Sequence, residues 1–418
     1  MLSMLYFVLK KIVLFMTRKY LYTKYNLLLL LAIFLGLGLG LTNSVILFAI
    51  AEGISSIFLK LLRLISLPLV FFAIGSTITS VDNLKTMFTL GKRLVYYTLF
   101  TTLIAASIGL GIVIFIHPRV TTATTLATMT ETNSTGYTNI LADILPNNIL
   151  KPFIEGNVIA IAFLAVILSI ASLFLKEKER TFVKNFFSTF SSIFLNLAKG
   201  ILKLLPLAMF AFSILLYKEF RNQENLQVFS KYLFCVIMAN LLQGFLVLPL
   251  LLKFHKISPF KVVKTMSPAL ITAFFSKSSA ATLPLTMELA EDELKIHPTL
   301  SRFSFPLCSV INMNGCAAFI LITIVFILTS NGILLSPLML IAWVLIATLA
   351  AVGNAGVPMG CYFLTLSLLS SIKIPLSILG LILPFYAVLD MLETSLNVWS
   401  DCCVVSIVNK QLSKKFPL

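Results

Sequence analysis

Charged residues are scarce in this sequence: only 11% of its 418 residues are Asp, Glu, Lys or Arg, whereas 59% are hydrophobic. The mean hydropathy is +1.01. Soluble globular domains carry about 25% charged residues, so this composition indicates an integral membrane protein. Acidic residues are the rarer sign, 16 against 32 Lys and Arg, but the basic residues lie in short breaks between apolar runs. That placement orients membrane helices and does not favour nucleic acid as a partner.

Cysteine and histidine are also few, with six and three copies. The cysteines lie in apolar segments, without metal-ligand spacing or the disulfide pattern of a secreted protein, and the histidines are dispersed. The sequence therefore gives no sign of zinc, haem or another resident cofactor. We interpret the cysteines as small packing residues; they are Cys235, Cys308, Cys316, Cys361, Cys402 and Cys403.

Long hydrophobic runs are abundant, and six of those in the first part of the chain are long enough to span a bilayer. They cover residues 25–50, 54–80, 95–117, 158–175, 187–217 and 228–252. Lys and Arg are more frequent in alternate breaks, which predicts a multi-pass protein of the plasma membrane, the inner membrane in a bacterium, with both termini cytoplasmic. Residues 1–25 are predicted to be cytoplasmic or interfacial, 118–150 an extramembrane loop, and 413–418 a cytoplasmic tail.

Two helical hairpins are predicted in the last part of the chain. The run 258–288 is interrupted by Ser276–Pro284, which is too polar to cross lipid as a continuous helix, and basic residues flank both ends. We expect this segment to enter the membrane and return on the cytoplasmic side. The run 335–371 is organised in the same way around Gly353–Gly360. We expect the second hairpin to enter from the opposite face.

A broken helix is predicted between the two hairpins. Residues 302–329 are apolar except for Asn312-Met313-Asn314-Gly315-Cys316, which places two amides and a glycine in the middle of the run. Unwinding there would free backbone carbonyl groups, which are good ligands for hard cations. Such backbone is tolerated at membrane depth only where it is buried or lines a cavity, and this order of elements is typical of an inverted repeat.

The last long apolar run carries a polar stripe. At 100° per residue, Asp390, Glu393, Thr394, Asn397 and Asp401 fall within roughly one third of a helix circumference. A carboxylate costs roughly 2.5–3.5 kcal/mol at the centre of a membrane. Three carboxylates on one face therefore imply a cavity, a bound cation or a basic partner.

Four of these motifs occur together in an order and spacing that resembles the dicarboxylate/amino acid:cation symporter family, and the match covers nearly the whole chain. They are Ser278–Pro284 at the first hairpin tip, Asn312–Gly315 in the broken helix, Ala355–Pro358 at the second tip, and Asp390 to Asp401 in the last helix. The resemblance implies an all-α membrane protein with a glutamate-transporter-like fold: about eight transmembrane helices and two opposed re-entrant hairpins in inverted repeats.

The same resemblance implies a homotrimer that works by an elevator mechanism, in which a transport domain slides across the membrane against a scaffold. Residues 26–255 would be mainly the trimerisation scaffold, with the third span and the 76–77 region contributing to the transport domain. Residues 256–412 would form the transport core.

The site residues carried over by the resemblance fall into two groups. Asp390 would bind the substrate's amino group, Ser278 and Ser279 its carboxylate. The full substrate set is Ser278, Ser279, Cys316, Ala355, Gly356, Val357, Asp390, Glu393, Thr394 and Asn397. The cation set is Ser76, Thr77, Cys308, Asn312, Met313, Asn314, Asn397 and Asp401. From the residues alone, the hydroxyl groups of Ser76 and Thr77 suit close helix packing as well as an ion site.

Three positions depart from the family pattern. Glu393 replaces the arginine that clamps an acidic side chain, Asn314 replaces an aspartate of an ion site, and Tyr386 replaces another aspartate. Because Glu393 would repel a second carboxylate, we expect a neutral amino acid as substrate and Na⁺ as the coupling ion, with H⁺ possible. The alternative is an acidic amino acid or a C4-dicarboxylate paired with Lys277 instead of the arginine.

Two other function classes are considered. An intramembrane enzyme could use Ser276-Lys277-Ser278 as a serine–lysine pair with Asp390 as an acid, but no glycine-rich oxyanion turn accompanies the serines. A passive ion channel would also need polar groups at membrane depth. Accumulation of a solute against its gradient distinguishes a symporter from both.

Overall fold

The computed structural model describes residues 27–79, 91–118, 147–220, 223–352, 354 and 359–413, and the regular structure in this part is helical, with no strand. The all-α prediction is therefore confirmed for the described residues. The expectations for residues 1–25, for most of the 118–150 loop and for the tail after residue 413 fall outside them.

The first two helices are α1 (Leu27–Gly40) and α2 (Val45–Thr79). The turn between them does not lie where the sequence predicted it. A span reaching residue 50 was predicted, but the chain leaves the helix at 41–44. Gly36, Gly38 and Gly40 weaken this end of α1, and Asn43 adopts a left-handed conformation with φ 51°. Asparagine tolerates that conformation better than most residues, so the helix ends there.

The next helices are α3 (Lys92–Ile116), α4 (Lys151–Glu155), α5 (Val158–Ser172), α6 (Glu177–Leu202) and α7 (Leu205–Phe220). The predicted span over 187–217 is not a continuous helix, because the axes of α6 and α7 differ by 51°. Pro206 lies in the first turn of α7, where its missing N–H costs no helical hydrogen bond. A new helix can therefore begin at this point.

Helix α8 (Gln223–Leu242) continues through a π-helical turn, Gln243–Val247, into α9 (Leu248–Phe254). This agrees with the predicted span over 228–252. The first hairpin consists of α10 (Pro259–Ser276) and α11 (Ser279–Asp292), which pack against each other.

The predicted break in the buried helix is present. Helix α12 (Pro298–Ile311) ends where Asn312 and Met313 leave helical geometry, with ψ angles of 70° and 66°, and α13 (Asn314–Ser330) begins immediately afterwards. The break is thus shorter than the predicted segment, because Asn314, Gly315 and Cys316 already belong to α13.

The chain ends with α14 (Pro337–Val352), α15 (Gly360–Ser371) and the 37-residue α16 (Ser377–Ser413). Helices α14 and α15 are the arms of the second predicted hairpin. By length and composition, five helices in the described part could cross a membrane, or six if the bent pair α6–α7 is one span. The expected eight included α1 and α5, whose apolar stretches are shorter than 18 residues.

Helix α13 lies at the centre of the packing, and every residue from Asn314 to Leu328 is buried. Helix α3 packs on α8, α13 and α14, and α16 packs on α10, α12 and α13. The most extensive contacts of α2 are instead with α5, α6 and α7. The broken helix and the polar stripe of α16 therefore meet inside the protein.

The glycines of α1 provide a matched test of this packing. A Cβ atom at Gly36 would overlap the carbonyl oxygen of Phe210 on α7, whereas a Cβ at Gly38 would have no neighbour within 4 Å. Overpacking costs about 1–3 kcal/mol. We expect Gly36→Ala to lower the thermal unfolding midpoint of the detergent-purified protein and Gly38→Ala to leave it unchanged or raise it. Equal midpoints for the two variants would contradict this packing.

Candidate functional site

A buried polar network surrounds the break at Asn312. The Asn312 amide nitrogen donates to Ser400 Oγ at 3.0 Å and to Asp401 Oδ1 at 2.9 Å. Its amide oxygen accepts from Thr101 Oγ1 at 3.2 Å and from the Asn314 amide at 2.9 Å. All five side chains are at most 3% exposed. Residues from α3, the broken helix and α16 therefore converge at one point in the apolar core.

Asn314 extends this network toward the π-helical turn. Its amide nitrogen also donates to Ser400 Oγ at 2.7 Å, and its oxygen accepts from Gln243 Nε2 at 2.6 Å. Gln243 donates to the Thr101 carbonyl at 3.1 Å as well. The Asn312 backbone N–H is bonded to the Cys308 carbonyl oxygen at 2.8 Å. Cys308, Asn312, Asn314 and Asp401 are therefore gathered around the break, as the resemblance implies.

The expected contribution of Ser76 and Thr77 to an ion site stays a prediction. Both lie near the end of α2, and the Thr77 hydroxyl donates to the Ala73 carbonyl within its own helix. From α3, the Thr101 hydroxyl donates to the Asn312 side-chain oxygen. Thr98, Thr101 and Thr102 follow each other at helical spacing on one face of an apolar helix, and that pattern was the signal available in the sequence.

The other part of the polar stripe is equally buried. Asp390, Glu393, Thr394 and Asn397 are between 1% and 6% exposed. Asp390 Oδ2 accepts from the Met359 backbone N–H at 3.2 Å, and Tyr386 donates its hydroxyl to Glu393 Oε2 at 3.4 Å. Glu393 Oε1 has no hydrogen-bond partner among the described residues.

Asn397 joins the stripe to the beginning of α13. Its side-chain oxygen accepts from the Gly315 N–H at 2.8 Å. The first free N–H groups of a helix carry partial positive charge, so Gly315 and its neighbours present donors toward α16. A side chain at position 315 is excluded, because a Cβ atom there would lie 2.8 Å from the Cα of Glu393.

Cys316 and Cys361 correct the interpretation of the cysteines. They form a disulfide, with a Cα–Cα distance of 5.3 Å, that joins the start of α13 to the start of α15. The Asn354 amide nitrogen lies 2.7 Å from Cys316 Sγ and 3.5 Å from Cys361 Sγ. Cys316 also lies beside Glu393 and Asn397 of the polar stripe, as half of a cross-link that the spacing of the cysteines did not indicate.

The structure describes the tip of the first hairpin but not residues 355–357 at the tip of the second. At the first tip, Ser278 Oγ accepts from the Ala281 N–H at 3.2 Å, Ser279 is buried, and Lys277 is partly exposed in a left-handed conformation with φ 53°. Lys277 is close enough to Asp390 for their charges to interact. At the second tip, Ala355, Gly356 and Val357 lie outside the described residues.

Three carboxylates, Asp390, Glu393 and Asp401, are therefore buried, and no Lys or Arg within 4.0 Å pairs with any of them in the described part of the chain. A buried charge without a partner is strongly unfavourable. Amide, hydroxyl, carbonyl and carboxylate oxygens are the ligands that hard monovalent and divalent cations take. The arrangement is suited to binding cations and positively charged groups.

The chain is similar in sequence to a known family of transport proteins. The model of the sodium:dicarboxylate symporter family matches residues 26–411. The chain is 26% identical to the neutral amino acid transporter B(0) of Mus musculus, over 90% of this chain and 79% of that protein. It is 27% identical to the proton/sodium-glutamate symport protein of Bacillus caldotenax, over 90% and 93%, and 27% identical to excitatory amino acid transporter 3 of Mus musculus, over 86% and 78%.

The close approach at Gly315 can be tested by stability. A methyl group there would meet the backbone of Glu393 and the Asn240 side-chain oxygen, 2.9 Å away. We expect Gly315→Ala to destabilise the protein by about 1–3 kcal/mol, as overpacking does. Gly111→Ala is the control, since a Cβ at Gly111 has no neighbour within 4 Å. Thermal unfolding of both variants measures the effect, and a Gly315→Ala midpoint at the wild-type value would be inconsistent with the packing of α13 on α16.

Proposed function

The chain belongs to the sodium:dicarboxylate symporter family, whose members are transporters and not enzymes, and on this premise we propose that it couples inward Na⁺ flow to the uptake of a neutral amino acid. The serine–lysine enzyme considered from the sequence is thereby excluded. The observation that carries the proposal is the set of buried carboxylates, with no basic partner within 4.0 Å among the described residues, beside a break in a buried helix.

We assign the coupling ions to the network around the break. One ion would use the Cys308 and Asn312 backbone with Asn397 and Asp401, and a second would use Asn312, Asn314 and Thr101. A third would lie between the Met313 backbone and the second hairpin. Thr101 replaces Ser76 and Thr77 in this assignment, because its hydroxyl is bonded to Asn312. Na⁺ is favoured by the neutral and anionic oxygen ligands; the name of the Bacillus caldotenax relative keeps H⁺ as an alternative.

The substrate would lie between the hairpin tips and α16. Asp390 would bind the amino group, and Ser278, Ser279, Asn397 and the 355–357 backbone would bind the carboxylate, with Thr394 beside them. Glu393 and Cys316 would then face the substrate's side chain. Glu393 has one oxygen with no described partner and no basic residue paired with it. An acidic side chain placed there would meet a like charge at low dielectric, so a neutral side chain is favoured.

Uptake of an acidic amino acid or a C4-dicarboxylate is the second candidate, and the name of the Bacillus caldotenax relative, a glutamate symport protein, favours it. It requires Lys277 to pair with the substrate's second carboxylate. The charge of Lys277 acts on Asp390, but Lys277 makes no ion pair within 4.0 Å with either Asp390 or Glu393 in the described part of the chain. A flexible ammonium group is also a weaker clamp than a bidentate guanidinium group.

We further propose an elevator mechanism in a homotrimer with both termini in the cytoplasm. The contacts support a division in which α2, α5, α6 and α7 form the scaffold. Helix α3 and the π-helical turn that continues α8 are better grouped with residues 256–412 than with the scaffold, because Thr101 and Gln243 bind the broken helix. The two hairpins would be re-entrant from opposite faces.

Transport in proteoliposomes tests the function directly. With an inward Na⁺ gradient, the protein should accumulate labelled alanine or serine above the external concentration, which a passive channel cannot do. Asp401→Asn and Thr101→Val should each raise the half-saturating Na⁺ concentration about tenfold, equivalent to about 1.4 kcal/mol of ion binding.

Thr98→Val is the matched control for the ion site, because the Thr98 hydroxyl donates only to carbonyls of its own helix, Leu94 and Val95. It should keep the wild-type Na⁺ dependence. An Asp401→Asn variant with unchanged Na⁺ dependence would refute the ion assignment, and equilibration without accumulation would refute symport.

Selectivity depends on Glu393 in this proposal. In competition assays, serine should inhibit the uptake of labelled alanine by the unmodified protein. Aspartate and glutamate should have little effect on this uptake. Glu393→Arg should lower the aspartate concentration that gives half inhibition at least tenfold, since a bidentate cation replaces a repelling anion. Glu393→Gln removes the charge without adding a bidentate cation, and it should lower that aspartate concentration by a smaller factor. Tight aspartate binding by the unmodified protein would reject the neutral substrate and leave symport intact.

A further inference from the structure

A sulfur-rich cluster beside the polar stripe is unused by the proposed transport of Na⁺. The sulfur atoms of Cys316 and Cys361 and a carboxylate oxygen of Glu393 all lie within 4.8 Å of one another. They come from α13, α15 and α16, and each residue is at most 2% exposed. No other group of three His, Cys, Asp or Glu ligand atoms this close occurs among the described residues.

Two further observations indicate a ligand at this cluster. Glu393 Oε1 is buried without a hydrogen-bond partner among the described residues, and so is the side-chain oxygen of Asn354. The Asn354 amide nitrogen is directed at both sulfur atoms, at 2.7 and 3.5 Å. An N–H donor stabilises thiolate sulfur, and outer ligands of this kind orient the groups that bind a metal. The cluster therefore combines ligand atoms that can carry negative charge with an outer side chain, Asn354, that holds them in position.

We propose that Cys316, Cys361 and Glu393 bind one thiophilic divalent cation of the Zn²⁺ type when the two cysteines are reduced. A dithiol reductant supplies two electrons and two protons to the disulfide, which yields two thiols and the oxidised reductant. The cation then displaces both thiol protons and is held by two thiolates and one carboxylate. Zn²⁺ lies about 2.3 Å from thiolate sulfur and about 2.1 Å from carboxylate oxygen, so tetrahedral ligand atoms are roughly 3.5–3.8 Å apart.

Soft sulfur donors separate this site from the Na⁺ sites, because thiolates select Zn²⁺ or Cu⁺ over hard cations. The cation and the disulfide are alternatives, since bonded sulfur atoms have no thiolate to offer. Either one links the start of α13 to the start of α15 and so holds the second hairpin against the core. The cluster overlaps the proposed substrate pocket, but metal binding is measured without transport, and its failure is therefore distinct from failure of the symport proposal.

The test uses the full chain in detergent with Cd²⁺ alone as the probe, followed through the ultraviolet charge-transfer absorption of thiolate–Cd²⁺ bonds. After treatment with a dithiol reductant and its removal, the protein should bind one Cd²⁺ per chain, and added Zn²⁺ should displace it. The oxidised protein should give no band. Cys316→Ser and Cys361→Ser should abolish one-to-one binding, and Glu393→Gln should keep a thiolate band but weaken affinity at least tenfold.

Cys235→Ser is the matched control, because Cys235 is a buried free cysteine on α8 outside the cluster, and it should retain wild-type binding. A Cys402→Ser, Cys403→Ser variant controls for the adjacent pair of buried free cysteines on α16. The proposal is overturned if reduced wild-type protein gives no band, or if the band survives loss of Cys316 and Cys361 and disappears with Cys402 and Cys403. The comparison of reduced with oxidised wild-type protein decides the matter even where a variant does not fold.

Discussion

The cost of a polar group without a partner in an apolar interior governs this structure. The backbone leaves helical geometry at Asn312 and Met313, inside a core where α13 is buried from Asn314 to Leu328. Such a break is tolerated only if side chains satisfy the freed groups. Asn397 does this for the Gly315 N–H, while the Asn312 side-chain amide binds α3 through Thr101 and α16 through Ser400 and Asp401. The positions of three elements therefore depend on hydrogen bonds to one side chain.

The same constraint explains why small residues occur where the elements approach closely. At Gly315 the backbone of α16 comes so near that no side chain fits, and at Gly360 a Cβ would overlap the Asn354 side chain. Close approach allows Asn397 to accept from a helix-start N–H. Hydrophobic packing brings α13 and α16 together, and the polar contacts fix their relative rotation. Loss of either would leave buried carboxylates facing apolar groups.

Much of this arrangement could be predicted from the sequence, because its signals are local. The stripe from Asp390 to Asp401 follows helical spacing, and Asn312 with Asn314 interrupts an otherwise apolar run. The contacts of Thr101 and Gln243 could not be predicted in the same way, since a helical threonine usually binds its own backbone and Gln243 lies in a π-helical turn. The Cys316–Cys361 link spans 45 residues, and only the fold brings them together. The turn at 41–44 contains Thr42, Asn43 and Ser44, and Lys199 and Lys203 precede the bend at Pro206, so both had a local signal that the predicted spans did not use.

Helix α16 has a consequence for how the protein is made. Its most apolar stretch is the least hydrophobic among the five candidate membrane spans of the described part. Three carboxylates make its insertion into lipid unfavourable by several kcal/mol on its own. The groups that hydrogen-bond its polar side chains, Asn312, Asn314 and Gly315, all precede it in the chain and are synthesised first. The last helix therefore enters the bilayer against helices that are already assembled there. Because its hydrogen-bond partners are synthesised first, they compensate for its low hydrophobicity.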